Sequence, residues 1–220
     1  MQWSDQNGPD RSRLSGNLHH VHTRARALNC QHDIRVPSRA GNGTIQKSMI
    51  ILGIDPGTIF SGYVVLDTAK KSLLDFTHEI ENSALALKIT SSWVHGIDEC
   101  AIEYIASYGM PLDDLTLRTQ YYVGYFAATF QIYSRNRPVH LFYRKTILAN
   151  LCGTSKAQDK NVKASLCNKF GEPCYPKRPV GALRGVKDHA WSALAVAQTR
   201  AEGVIGVNYT WGLGDASSER

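Results

Sequence analysis

The chain has no apolar run approaching the roughly 20 residues that span a bilayer, so no transmembrane helix is expected. The N-terminal segment contains no apolar stretch of the signal-peptide kind. Cysteine is sparse and irregular, with five residues at positions 30, 100, 152, 167 and 174 and no C-x-x-C pair. That argues against a zinc knuckle or a disulfide framework and leaves reduced thiols, as in a cytosol, as the plain reading. No internal repeat is present, which removes solenoids and propellers from consideration. What remains is a chain of 220 residues, 43% hydrophobic, sufficient for one domain with a single core.

The formal charge is +6, which favours a polyanionic partner without specifying one. It is unevenly placed. Residues 1–48 hold seven Lys/Arg against three Asp/Glu, a net of +4, so only +2 is left for the remainder. This first segment is rich in Arg, His, Asn, Gly and Ser, lacks helical or strand periodicity, and reads as a disordered basic leader. Met49 stands directly before the first apolar strand. The expected organisation is a leader over 1–48, one domain over 49–202, and a flexible tail over 203–220.

From Met49 the pattern is ordered. Met49–Asp55 and Gly62–Asp67 read as an antiparallel hairpin, and Ser72–Glu79 as a third strand. Glu81–Val94 has the spacing of an amphipathic helix. A short buried strand covers Ala101–Glu103. Leu115–Tyr133 is a long helix, with Leu117, Tyr121, Gly124, Tyr125, Ala128 and Ile132 on one stripe. Val139–Tyr143 is a strand, Lys145–Leu151 and Lys156–Phe170 are helices, Gly171–Gly185 is a loop, and Asp188–Arg200 is an apolar closing helix. The order predicts an α/β layer sandwich on a mixed sheet.

The segment Ile51–Asp67 is an apolar strand ending in a carboxylate, a glycine turn and a return strand. A carboxylate at the end of a buried strand is costly unless it is paired or holds a cation. Two readings follow: Asp55 holds a metal, or the Gly57–Thr58 turn cradles a phosphate, as in actin-like and sugar-kinase ATPases. Those ATPases need two such domains and a second glycine-rich loop, and neither is present. Glu103 closes the next long apolar strand, and Asp188 and His189 open the last helix. In a βββαβαβα sandwich the first and fourth strands are neighbours, so Asp55 and Glu103 should converge beneath that helix. Clustered carboxylates repel unless a divalent cation neutralises them. An oxygen-dominated set favours Mg²⁺ or Mn²⁺ over zinc.

These residues resemble a known family. Gly53-Ile-Asp55-Pro-Gly-Thr58 with Gly62-Tyr63, Ala101-Ile-Glu103, Phe142-Tyr-Arg144-Lys145, Leu151-Cys-Gly153 with Lys156 to Asn161, Lys169-Phe-Gly171, and Asp188-His-Ala-Trp-Ser-Ala-Leu-Ala are similar, in order, to the phage-type RuvC Holliday-junction resolvases of the RNase H-like superfamily. The resemblance spans about 150 residues, from Met49 to about Ala201. It implies an RNase H-like three-layer sandwich with a mixed five-stranded sheet. It also implies a cytoplasmic enzyme of a bacterium or phage-infected cell, a homodimer that cuts four-way junctions and other branched DNA with Mg²⁺, Mn²⁺ being able to substitute.

Carried over position by position, Asp55 matches the first-strand catalytic Asp and Glu103 the fourth-strand Glu. The last helix departs from the pattern. Two acidic residues one turn apart are expected there, whereas alignment on Ala193-Leu194-Ala195 places His189 and Ser192 at those positions. His189 is acceptable as a ligand or base. Asp188, one residue earlier, lies about 100° around the helix from it and is also a natural N-cap. The implied chemistry is in-line phosphodiester hydrolysis leaving 5′-phosphates. Arg144 and Lys145 after a strand, with Lys156, Lys160 and Lys163 on one predicted helix face, suit phosphate contacts. Tyr104 and Tyr108 are placed to stack on unpaired bases. A junction-binding protein without catalysis is the alternative on the same fold, and the serine at position 192 is what favours it.

Overall fold

The structure is a computed structural model, which describes residues 48–106, 109, 111–172 and 181–209. Its centre is one sheet in the order β3-β2-β1-β4-β5-β6. β1 (Ile50–Asp55), β2 (Phe60–Asp67) and β3 (Ser72–Glu81) form an antiparallel meander. β4 (Glu99–Tyr104) joins β1 in parallel and β5 (Val139–Tyr143) joins β4 in parallel. The register runs Gly53 to Ala101 and Ile54 to Ile102, so Asp55 and Glu103 stand level, one residue further on.

Alternation along these strands sorts the core into two layers. Ile51, Val64, Leu66, Ala101 and Phe142 face α3 (Arg144–Cys152), α4 (Asp159–Lys169) and α5 (Asp188–Ala201). Leu52, Ile54, Val65 and Ile102 face α1 (Asn82–Thr90) and α2 (Asp114–Tyr133). Both faces of β1 and β4 are thus covered, which is why they read as continuous apolar runs. By parity Asp55 and Glu103 project to the α5 side.

α5 lies directly on the sheet because two glycines admit it. A Cβ on Gly53 would stand 2.2 Å from the Ala193 carbonyl oxygen, and one on Gly62 would stand 2.6 Å from the His189 Cβ. Alanines at 190, 193 and 197, all fully buried, answer from the helix. The other end of α5 is pinned by Arg200, whose Nε and second guanidinium nitrogen reach the two carboxylate oxygens of Glu99 at 2.5 and 3.1 Å, a bidentate pair.

Several expectations need correction. The sheet has six strands rather than five, because β6 (Val207–Tyr209) from the supposed tail pairs antiparallel with β5. Three half-exposed residues carry too little period to reveal a strand. The helix expected over 81–94 is divided: β3 runs through Glu81, α1 stops at Thr90, and a 3₁₀ turn follows over Ser92–Gly96. The hydroxyls of Thr90 and Ser91 donate back to the carbonyls of Leu87 and Lys88, competing with helix continuation. The stripe named on α2 points outward; the side that packs on the sheet carries Val123, Phe126, Ala127 and Phe130. α4 starts at Asp159, its entry fixed by the Asn161 side chain accepting the Gln158 N–H at 3.1 Å, so Lys156 lies before the helix. The loop expected over 171–185 includes a 3₁₀ turn at Gly181–Leu183, whose Leu183 N–H donates to the buried Glu172.

Candidate active site

The turn after Asp55 is held from within. The Gly57 N–H donates to the Ser61 hydroxyl at 3.3 Å, Ser61 donates to Asn82 at 2.6 Å, and Asn82 donates back to the Gly57 carbonyl at 3.0 Å. Ser61 and Asn82 are buried. The Gly57 amide is therefore committed to this network, which weakens the phosphate-cradle reading of the turn.

Asp55 meets the last helix. Its Oδ2 lies 2.8 Å from His189 Nδ1, with the carboxylate 16% exposed and the imidazole 49% exposed. That hydrogen bond raises the His189 pKa above the ordinary histidine value against the opposing effect of partial burial; the charges of Asp55, Asp188 and Glu79 add to the rise. Asp188 is the first residue of α5 and does not cap it. Lys187 occupies the N-cap position, and Asp188 sits at φ 36°, outside the conformation usual for a residue with a side chain.

Glu103 lies lower, only 13% exposed. Burial and then the neighbouring Asp55 charge push its carboxyl up to about 7, with the Arg144 charge and hydrogen bond acting against them. Arg144, the first residue of α3, ties three elements together. One guanidinium nitrogen donates to Glu103 at 3.2 Å and to the Ser192 hydroxyl at 3.4 Å, and the other reaches Asp159 at 2.5 Å.

A cleft of about 370 Å³ opens here, lined by Asp55, Arg144, Asp159, Val162, Lys163, Asp188, His189, Trp191 and Ser192. Lys163 lies over the Trp191 ring, 5.9 Å from its centre. Glu103 is not among the lining residues; it sits behind Arg144. The other expected contacts disperse. Lys156 and Lys160 border a separate groove with Thr154, Asn161 and Asn168. Lys145 is exposed on the first turn of α3. Tyr104 packs edge-on against Tyr143, centroids 5.2 Å apart, beside an apolar groove. Tyr108 lies outside the described residues. Sequence reasoning did not single out Asp159 or Trp191, whose side chain is buried yet also borders the cleft. The available signal for Asp159 was its place inside the Lys156–Asn161 segment that carries part of the family resemblance.

The donors present are two carboxylates on adjacent strands with an imidazole and a further carboxylate at their rim, hard-oxygen chemistry that fits Mg²⁺ or Mn²⁺. As the side chains stand, no three acidic, imidazole or thiol groups converge on one point among the described residues. His189 engages Asp55 and Arg144 engages Glu103, so each acid is already partnered.

The architecture defines an RNase H-like fold of the RuvC kind. The chain is similar to a Thermus thermophilus RuvC structure, at TM-score 0.56 and 18% identity over 70% of this chain and 93% of that one. It is also similar to T. thermophilus RuvC in complex with Holliday junction substrate, at TM-score 0.51 and 19% identity over 70% and 92% of the two chains. No protein-family profile matches the sequence, and comparison with curated proteins finds no relative. Among the described residues no helix is long and apolar enough to cross a membrane.

Proposed function

We propose that this chain is a divalent-metal-dependent, structure-selective endodeoxyribonuclease acting in the cytoplasm of a bacterial or phage-infected cell, with Holliday junctions or other branched DNA as substrate. The observation that carries this is the level placement of Asp55 and Glu103 on neighbouring parallel strands, with His189 delivered onto Asp55 by the last helix. The likeness to RuvC, described in one case with a Holliday junction substrate, supports the substrate class.

Asp55 and Glu103, with His189 or Asp188 completing the set, would hold Mg²⁺, or Mn²⁺ in its place, whose chemistry when bound is to lower the pKa of the attacking water and to stabilise the leaving 3′ oxygen. The chain's own groups do the rest. Asp55 accepts from His189 and orients its ring, leaving the outer imidazole nitrogen for a proton in the cleft. Arg144 presents a planar guanidinium at the cleft wall, suited to non-bridging phosphate oxygens. Lys163, laid over Trp191, adds a second positive charge on the opposite element. Lys145, Lys156 and Lys160 lie beyond the cleft, where phosphate contacts position the duplex arms without reading sequence. Tyr104 is the aromatic offered to an unpaired base.

A non-catalytic junction binder is the second reading, favoured by the Ser192 hydroxyl facing Arg144 at 3.4 Å on the helix that carries His189. Incubating a synthetic four-way junction with the protein in Mg²⁺ and in Mn²⁺, beside Asp55→Asn, separates the two. Paired nicks with 5′-phosphate ends, lost in the variant, are expected. Tight binding without nicks in either metal would establish the binder, and nicking that survives Asp55→Asn would displace the site.

A further inference from the structure

We infer that Arg144 is a built-in cation standing in the place of a second divalent ion, so that one ion completes the site. This rests on the metal-dependent reading proposed above and deepens it. A two-ion phosphodiester site sets its ions about 4 Å apart, and each needs carboxylate oxygens of its own. Here the strand-end acids keep oxygens for one. Asp55 Oδ2 is engaged by His189 at 2.8 Å and Glu103 Oε2 by Arg144 at 3.2 Å. The other oxygen of each, Asp55 Oδ1 and Glu103 Oε1, has no hydrogen-bond or ion-pair partner among the described residues.

The gap between Glu103 and α5 is already filled by positive charge. One guanidinium nitrogen of Arg144 lies between the Glu103 carboxylate and the Ser192 hydroxyl, at 3.2 and 3.4 Å. Ser192 accepts from Arg144 but brings no charge with which to draw a divalent ion. The guanidinium is fixed from several sides. β5 pairs with β4 as far as Tyr143 opposite Tyr104, so Arg144 leaves the sheet beside Glu103. Asp159, opening α4, holds the second guanidinium nitrogen at 2.5 Å. The planar fork keeps further N–H groups for a phosphate oxygen.

Charge agrees with one ion. A bound metal ion keeps its acids ionised and its imidazole neutral. Asp55, Asp159 and Asp188 along the cleft, with Glu103 behind it, then face Arg144 and Lys163, a net of −2. One divalent ion cancels that charge, and a second would leave the site positive before any phosphate arrives. With a carboxylate at 192 and no guanidinium, the same backbone would offer oxygens for a second ion on the far side of Glu103. Position 192 and Arg144 therefore act as one unit, a hydroxyl and a cation in place of an acid and an ion.

The test counts Mn²⁺ bound per full chain, without DNA, from the loss of the free-ion electron paramagnetic resonance signal, with circular dichroism confirming that each variant is folded. Wild type should bind one ion, and Asp55→Asn should bind it about tenfold more weakly or worse. Ser192→Asp should still bind one, because the new carboxylate meets the guanidinium first. Ser192→Asp combined with Arg144→Gln should bind two. Arg144→Gln alone should tighten the single ion about tenfold, the effect of removing a monovalent charge roughly 6 Å from a divalent one in water, and Arg144→Lys should restore the wild-type affinity. Two ions on wild type or on Ser192→Asp alone would overturn the inference and leave the metal-dependent reading standing. One ion on the double variant, or no tightening in Arg144→Gln, would also overturn it. Wild type that binds no Mn²⁺ would remove the metal-dependent reading and this inference with it.

Discussion

Gly53→Ala should be among the most damaging single-methyl changes in this protein. The new Cβ would stand 2.2 Å from the Ala193 carbonyl oxygen, more than an ångström short of the 3.4 Å at which ordinary contact begins, and 2.8 Å from the Ala197 Cβ, also too close. Neither side yields easily, since β1 is the third strand of a six-stranded sheet and the main obstacle is helix backbone. α5 must lift by roughly 1 Å, and a gap of that size forfeits a quarter to a half of each contact's attraction. Ala190, Leu194, Ala195 and Val196 on the same helix are fully buried, so the loss is spread over a long seam. We place the cost at about 3 kcal/mol, the upper end of overpacking effects. For a domain of this size that lowers the melting midpoint by roughly 6–12 °C. Gly96→Ala, where nothing lies within 4 Å of the added carbon, is the matched control and should shift stability by no more than about 0.5 kcal/mol. Urea titrations of wild type and the two variants decide it. A Gly53→Ala midpoint within error of Gly96→Ala would refute direct packing of α5 on β1, and with it the delivery of His189 to Asp55.

Three other outcomes are expected. If Asp55 and Glu103 hold a divalent ion, Mn²⁺ at a hundredfold excess over its dissociation constant should stabilise wild type by about 2.7 kcal/mol; equal Mn²⁺ shifts in wild type, Asp55→Asn and Glu103→Gln by thermal melting would remove the metal from this site. Asp159→Ala releases Arg144 from its 2.5 Å pair and deletes a carboxylate from the cleft, so junction binding should tighten severalfold and its dependence on log salt should steepen by about one; unchanged titrations would show that Arg144 does not meet phosphate. Burial, with the Arg200 charge, holds the His140 pKa below the ordinary value while Glu99 opposes. The unfolded chain therefore takes up the proton first, so this contribution is complete above the unfolded pKa and is lost as pH falls through the folded one. Urea midpoints of wild type should drop more steeply than those of His140→Leu between about pH 7 and pH 5, and parallel profiles would exclude His140 as the source.

Local residues made much of the sheet legible. The hairpin, β5 and the closing helix were visible because each is a strongly apolar run bounded by Gly, Pro or charged residues. Asp55 and Glu103 stood out for the same reason, as carboxylates ending such runs. Less was visible where one residue type serves two purposes. α2 bears apolar residues on both sides, so periodicity selected a stripe without telling inside from outside. Lys156 and Lys160 share helical spacing with Lys163, yet the helix begins only at Asp159 and the cleft receives Lys163 alone.

The sequence by itself determined the α/β class, the strand-end carboxylates and the apolar closing helix, because those are written in short-range patterns of burial. Only the tertiary structure decided that Arg144 stands between Glu103 and the cleft, that Asp188 begins α5 without capping it, and that three residues near the end of the described chain add a sixth strand. These depend on which elements meet across the sheet, through pairs such as Arg144–Ser192 and His189–Asp55 that lie 48 and 134 residues apart. No local periodicity records distances of that kind.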